Sequence, residues 1–176
     1  MNKKIRLFKI LLLPITFLFL FFFLVPVVLP KSMSPQTKQL DEITLIATRN
    51  RNDLSLGLQY VTEMPKNVGV LFRDLGRNVN TFHCHNCLFT IEMTALAKDG
   101  KILQIVDAPP ETDMVKMPEG TGCVIETNAN VMWRKGFRVG DKIGLSSLEK
   151  SVNHALNIED GLPRTKGWRE KMRSGR

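Results

Sequence analysis

The densest chemistry in the sequence stands at Phe82-His83-Cys84-His85-Asn86-Cys87-Leu88, where two of the three histidines and two of the three cysteines fall within five positions. Three chemistries are open to this cluster. On a strand, side chains alternate between faces, so His83, His85 and Cys87 would point one way with Phe89, Ile91 and Met93, and Cys84 and Asn86 the other. An imidazole, imidazole, thiolate series suits Zn²⁺ or copper, with Cys123 or Glu126 as a fourth ligand brought from elsewhere. The same residues contain Cys84-x-x-Cys87, the spacing of thiol–disulfide catalysts. A regular strand would send those sulfurs to opposite faces, so a redox role requires a turn here. The third reading is packing alone, or a structural disulfide in an oxidising compartment.

The elements that must position the cluster read as strands more than helices. Short β-favouring runs stand at Ile43–Thr48, Val68–Phe72, Ile102–Val106 and Cys123–Thr127, punctuated by Gly and Pro. Lys98-Asp99-Gly100-Lys101 predicts a hairpin with a tight two-residue loop, because Asp-Gly accepts positive φ. A short helix is expected over Asp53–Tyr60 and a longer one over Ser146–Ile158, where Leu148, Val152, Ala155 and Leu156 share a face and Gly161 and Pro163 follow. His154 then falls on the polar side of that helix and is expected to be solvated. Trp133 and Trp168 read equally as packing or interface residues and as ligand platforms.

The 176 residues leave room for one domain once the ends are subtracted. From Ile10 to Leu29 every residue is apolar or proline except Thr16, and about 1.5 Å of rise per residue carries such a run across a hydrocarbon core of about 30 Å. Lys3, Lys4, Arg6 and Lys9 precede it without an acid, which predicts a cytoplasmic N-terminus and an exported domain in the cell (inner) membrane. A cleaved signal is the competing reading, but the run exceeds the usual apolar region of roughly 7–15 residues, and Pro35 would follow the cut after Ser32 and Ser34. The expected order is a basic segment at 1–9, a single-pass anchor at 10–30, a linker at 31–40, a β domain at 41–145, and a C-terminal helix and basic tail at 146–176. From Glu159 on the tail carries six Lys or Arg against three acids, within a net charge of +8; it reads as a solvated, mobile tail or a contact for anionic lipid or a polyanionic partner. No nucleic-acid motif accompanies the charge, so nucleic acid is not an expected partner.

Taken in order, further landmarks carry a resemblance. These are Gly57-Leu58-Gln59-Tyr60, Met64-Pro65, Gly69-Val70-Leu71-Phe72, the Phe82–Leu88 segment with Glu92 and Asp99-Gly100, Ala108-Pro109-Pro110, Val124–Ala129, Gly136, and Val139-Gly140-Asp141. Over about Ile43 to Ile143 the chain resembles the bacterial and archaeal family called domain of unknown function 192. The resemblance implies an all-β fold like a small sandwich or jelly roll, often with an N-terminal signal or anchor, and brings no reaction with it. The departure is largest at the cluster: His83, Cys84, His85 and Cys87 occupy positions where the family pattern has Trp-Met-Lys and Thr. Asn86, Glu92, Glu126, Asn128 and Asp141 sit at matched positions and could line a shared pocket, although turn and cap duties explain Asp99, Asn128 and Asp141 equally well.

No nucleophile with its base, no phosphate loop and no complete metal set can be assembled from these residues. The expectation is a membrane-anchored extracytoplasmic binding module for a small ligand, envelope polymer or protein. The alternative is a metal- or thiol-dependent enzyme built on His83, Cys84, His85 and Cys87.

Overall fold

The computed structural model describes residues 35–73, 75 and 81–174. The expected span at 10–30 lies outside them, as do the basic segment before it and the first part of the linker. Among the described residues no helix is long and apolar enough to cross a membrane. The described chain is mostly β with short helices, in line with the fold class expected.

Among the described residues nine strands form: β1 (Thr37–Lys38), β2 (Thr44–Ala47), β3 (Val68–Phe72), β4 (Thr81–Phe82), β5 (Ile91–Ala97), β6 (Ile102–Ala108), β7 (Val115–Lys116), β8 (Thr121–Asn128) and β9 (Lys142–Ile143). A central five-stranded sheet runs in the order β2-β3-β8-β5-β6, with β2 and β3 parallel and the other pairs antiparallel. Two small ribbons, parallel β1-β9 and antiparallel β4-β7, accompany it. In place of the two stacked antiparallel sheets of a sandwich there is one mixed sheet. Parallel neighbours need a crossover, usually helical, and α1 (Arg51–Leu56) supplies it between β2 and β3. Asn50 caps α1 by accepting from the Asp53 N–H at 2.9 Å, and Asp53 reaches back to the Arg49 N–H at 2.7 Å.

Both faces of the sheet are covered, so alternation along a strand separates two apolar clusters rather than core from solvent. Val70, Phe72, Met93, Ala95 and Val124 belong to one cluster; Leu45, Leu71, Leu96 and Ile125 belong to the other. Glu126 sits opposite Val70 on β3 and Met93 on β5, which puts its side chain with the first cluster. Cys123, three residues earlier, packs with the second.

Three local expectations change. The β5–β6 hairpin has positive φ at Gly100 (84°) and not at Asp99, and the Ala97 N–H pairs with the Lys101 carbonyl; it is a longer turn with glycine in the left-handed position. A Cβ on Gly100 would collide with the Ile143 carbonyl. The helix expected to reach Ile158 is α3 (Leu145–Ser151), because the chain turns extended at Val152 and the Asn153 N–H bonds the Leu45 carbonyl on the open edge of β2 at 2.9 Å. The tail is not merely solvated. Thr62 N–H donates to the Pro163 carbonyl and Thr165 N–H to the Tyr60 carbonyl, both at 2.9 Å. A last helix, α4 (Trp168–Ser174), then lays Trp168 and Met172 against the first cluster.

Candidate functional site

The segment from His83 to Cys87 is not a strand. Cys84 to Cys87 is a β-turn closed by the Cys87 N–H donating to the Cys84 carbonyl at 3.2 Å, with Asn86 alone at positive φ, 57°. That is the third-position requirement of a type II turn, which Asn meets more readily than most residues. Distant parts of the chain hold the turn. Cys84 N–H donates to the Thr112 carbonyl, Glu111 N–H to the Cys84 carbonyl, and Tyr60 N–H to the Asn86 carbonyl, at 2.8–2.9 Å. The Asn86 N–H donates to Glu111 Oε1 at 2.9 Å and its side-chain amide to Gln59 Oε1 at 3.2 Å.

The turn brings together what a strand would have parted. Cys84 and Cys87 are both buried free thiols in the first cluster, within hydrogen-bonding reach of one another. The two titrate as a pair that shares one proton once singly ionised: the hydrogen bond between them eases the pair's first ionisation, and the same bond, with burial, pushes the second far up. Cys84 Sγ also lies 3.8 Å from the Ala108 carbonyl.

Cys87 lines a cavity of about 110 Å³ whose walls include Leu54, Leu58, Phe72 and Phe82, with His83 and Glu126. Phe72 and Phe82 meet edge to face at 5.3 Å and 88°, worth about 0.5–1.5 kcal/mol beyond their area. Glu126 is the unusual group. It is 3 % exposed, and no hydrogen bond to its carboxyl exists among the described residues. Burial, and then the charge of Cys84, hold it well above the usual carboxylate range. A neutral carboxyl at the wall of an apolar cavity can donate one hydrogen bond and accept another.

The other expected residues part company from this site. Glu92, on the opposite face of the sheet, caps α2 (Val131–Arg134). Its carboxylate accepts from the Met132 N–H at 2.6 Å, the Trp133 N–H at 3.5 Å and the Thr127 hydroxyl at 3.3 Å. Asn128 ties the Met64 carbonyl at 2.7 Å. Asp141 pins β1 by accepting from Lys38 Nζ at 2.6 Å, Gln36 N–H at 3.1 Å and Arg138 N–H at 2.9 Å. Cys123 lines a separate groove with Arg73 and Glu149, and burial lifts its thiol to about 11.

His83 and His85 have ring centroids 4.8 Å apart, but His85 turns outward toward Glu111 and Asp113 at 3.9 and 3.6 Å. Burial, then the neighbouring His85, lowers the His83 pKa. Among the described residues, no group of three or more His, Cys, Asp or Glu is arranged to hold a metal ion. Trp133 is exposed and stacked by the Arg138 guanidinium at 3.5 Å. His154 is exposed, as expected, in a turn rather than on a helix. Sequence reasoning missed Leu54, Phe72 and Phe82 as cavity walls and Glu111 as the brace of the turn. Only Phe72 and Phe82 carried a signal, as family landmarks.

The profile of the uncharacterised ACR family, domain of unknown function 192, matches residues 33–145. The chain belongs to this family. Cys84, Cys87 and Glu126 therefore lie within the domain of unknown function 192 region, while α4 and the strand-like return at Pro163–Thr165 lie beyond it. A solved protein of unknown function from Novosphingobium aromaticivorans is similar in fold, with a TM-score of 0.53 and 22% identity over 57% of this chain and 73% of that one. The structure of a proposed transcription regulator from Sinorhizobium meliloti gives a TM-score of 0.53 and 25% identity over 57% and 79%. No curated protein matches the chain.

Proposed function

We propose that the protein is a binding module, anchored by residues 10–30 with its β domain outside the cytoplasm, whose ligand seat is the cavity between α1, Phe82 and the Cys84–Cys87 turn. The observation that carries the reading is Glu126: a carboxyl buried in an apolar wall with no hydrogen-bond partner among the described residues has a desolvation cost that a ligand's hydrogen bonds can offset. Three segments on which the family resemblance rests, Gly57–Tyr60, Gly69–Phe72 and Phe82–Leu88, converge on this cavity with Glu126. The wider groove of about 730 Å³ between Gln39–Thr44 and Ser147–His154 contains no buried titratable side chain.

The cavity is smaller than the roughly 150 Å³ that accepts a benzene ring, so it suits a group of about five heavy atoms. Neutral Glu126 selects a small apolar body carrying a carbonyl or amide. Propionamide is a direct probe and propylammonium its charged counterpart. Saturable NMR shifts from propionamide in the purified full-length chain, lost in Glu126→Leu, support the reading. Binding unchanged in the variant, absent in both proteins, or stronger for propylammonium would overturn it.

A further inference from the structure

We propose that Cys84 and Cys87 form a thiol–disulfide exchange centre in which Cys87, on the cavity wall, meets a small organic disulfide and Cys84, behind it, resolves the mixed disulfide. The inference rests on the turn and the cysteine pair, and stands apart from the ligand that the cavity selects.

A β-turn holds the Cα atoms of its first and fourth residues within about 7 Å, and a disulfide needs about 4.4–6.8 Å. The Cys84–Cys87 turn therefore presents a bridgeable pair without moving the backbone far, and both side chains belong to the same buried cluster. The two are unequal in access: Cys84 is 0 % and Cys87 5 % exposed, and only Cys87 lines the cavity. Glu126 lines the same cavity as Cys87. Such a site admits a compact disulfide and keeps out a folded protein's.

The exchange balances in two displacements. With the shared proton on Cys84, the Cys87 thiolate attacks one sulfur of R–S–S–R; the Cys87–S–R bond forms, the reagent's S–S bond breaks, and RS⁻ leaves. Cys84 then loses its proton and attacks Cys87 Sγ, forming the Cys84–Cys87 bond and expelling the second RS⁻. The protein dithiol is oxidised by two electrons, and the two thiol protons end on two RSH, relayed by Glu126 or water.

Dimethyl disulfide, whose four heavy atoms suit the cavity, added to the reduced full-length chain and followed by acid quench and peptide mass spectrometry, tests this. The wild type is expected to yield a Cys84–Cys87 peptide lighter by two hydrogens with no lasting adduct. Cys84→Ser, and Cys84→Ala should the serine variant fail to fold, is expected to hold a methylthio adduct on Cys87. Cys123, whose groove contains no second cysteine, is expected to give no cross-link. Adducts without the Cys84–Cys87 cross-link in the wild type, or a folded Cys84 variant that takes no adduct on Cys87, would each overturn the proposal. Propionamide binding measured on the same samples separates a failure of exchange from a failure of the cavity.

Discussion

Glu126→Gln preserves the size of the side chain and its capacity to donate a hydrogen bond, and abolishes its ionisation, so the pH dependence of stability reports directly on the buried carboxyl. The folded state holds the Glu126 proton to higher pH than the unfolded chain, whose glutamates titrate near 4.3. Between those two values the native state binds more protons than the unfolded state, and stability falls as pH rises. The stabilisation from neutral Glu126 is complete below the unfolded value and is lost as pH climbs through the folded one. Within that window each pH unit removes about 1.4 kcal/mol, roughly 4 °C of melting temperature for a domain of this size. Urea unfolding of both proteins, stepped from about pH 4 to about pH 8, gives a difference curve from which other groups cancel. Glu92, raised by burial against the opposing Met132 and Trp133 hydrogen bonds, is one of these. Asp141 is another: burial opposes its ionisation, but the hydrogen bonds from Lys38, Gln36 and Arg138 outweigh it. The two proteins should converge at the acid end, with the variant gaining by the stated slope above it. Parallel curves would refute the neutral carboxyl, and a gap that widens toward acid would mean an ionised, paired Glu126.

Two further substitutions test the supports of the site. Glu92→Ala leaves the Met132 and Trp133 N–H groups and the Thr127 hydroxyl without their acceptor; a loss of about 2–4 kcal/mol is expected in denaturant unfolding, with faster amide exchange confined first to α2. Asn86→Gly should leave stability unchanged or slightly higher, whereas Asn86→Val should cost about 1–2 kcal/mol because a β-branched residue resists positive φ. Equal effects of Gly and Val would remove the turn as the organiser of Cys84 and Cys87.

The sheet was legible because its strands are local patterns: Val68–Phe72 was expected with the bounds it has, and Cys123–Thr127 lies inside β8. The order of strands was not, since the parallel β2–β3 pair depends on a crossover that no periodicity announces. The site was half legible. Cys84 and Cys87 stood out by type and spacing, but the hydrogen bonds that fold them into a turn come from Tyr60, Glu111 and Thr112. Those are tertiary partners that the local sequence does not show. Glu92 and Glu126 looked alike in the sequence; opposite faces of one sheet make the first a helix cap and the second a buried carboxyl with no hydrogen-bond partner among the described residues. The helix begun at Leu145 stopped early for the same kind of reason, because the free edge of β2 captured Asn153.

The infrared carbonyl stretch of Glu126 tests the central claim most directly. Near neutral pH, the full-length chain minus Glu126→Gln should give a difference band in the region of a protonated carboxylic acid, and propionamide should shift that band to lower frequency as the carboxyl gains a partner. A carboxylate band in its place, or a protonated band that propionamide leaves unmoved, would contradict the account.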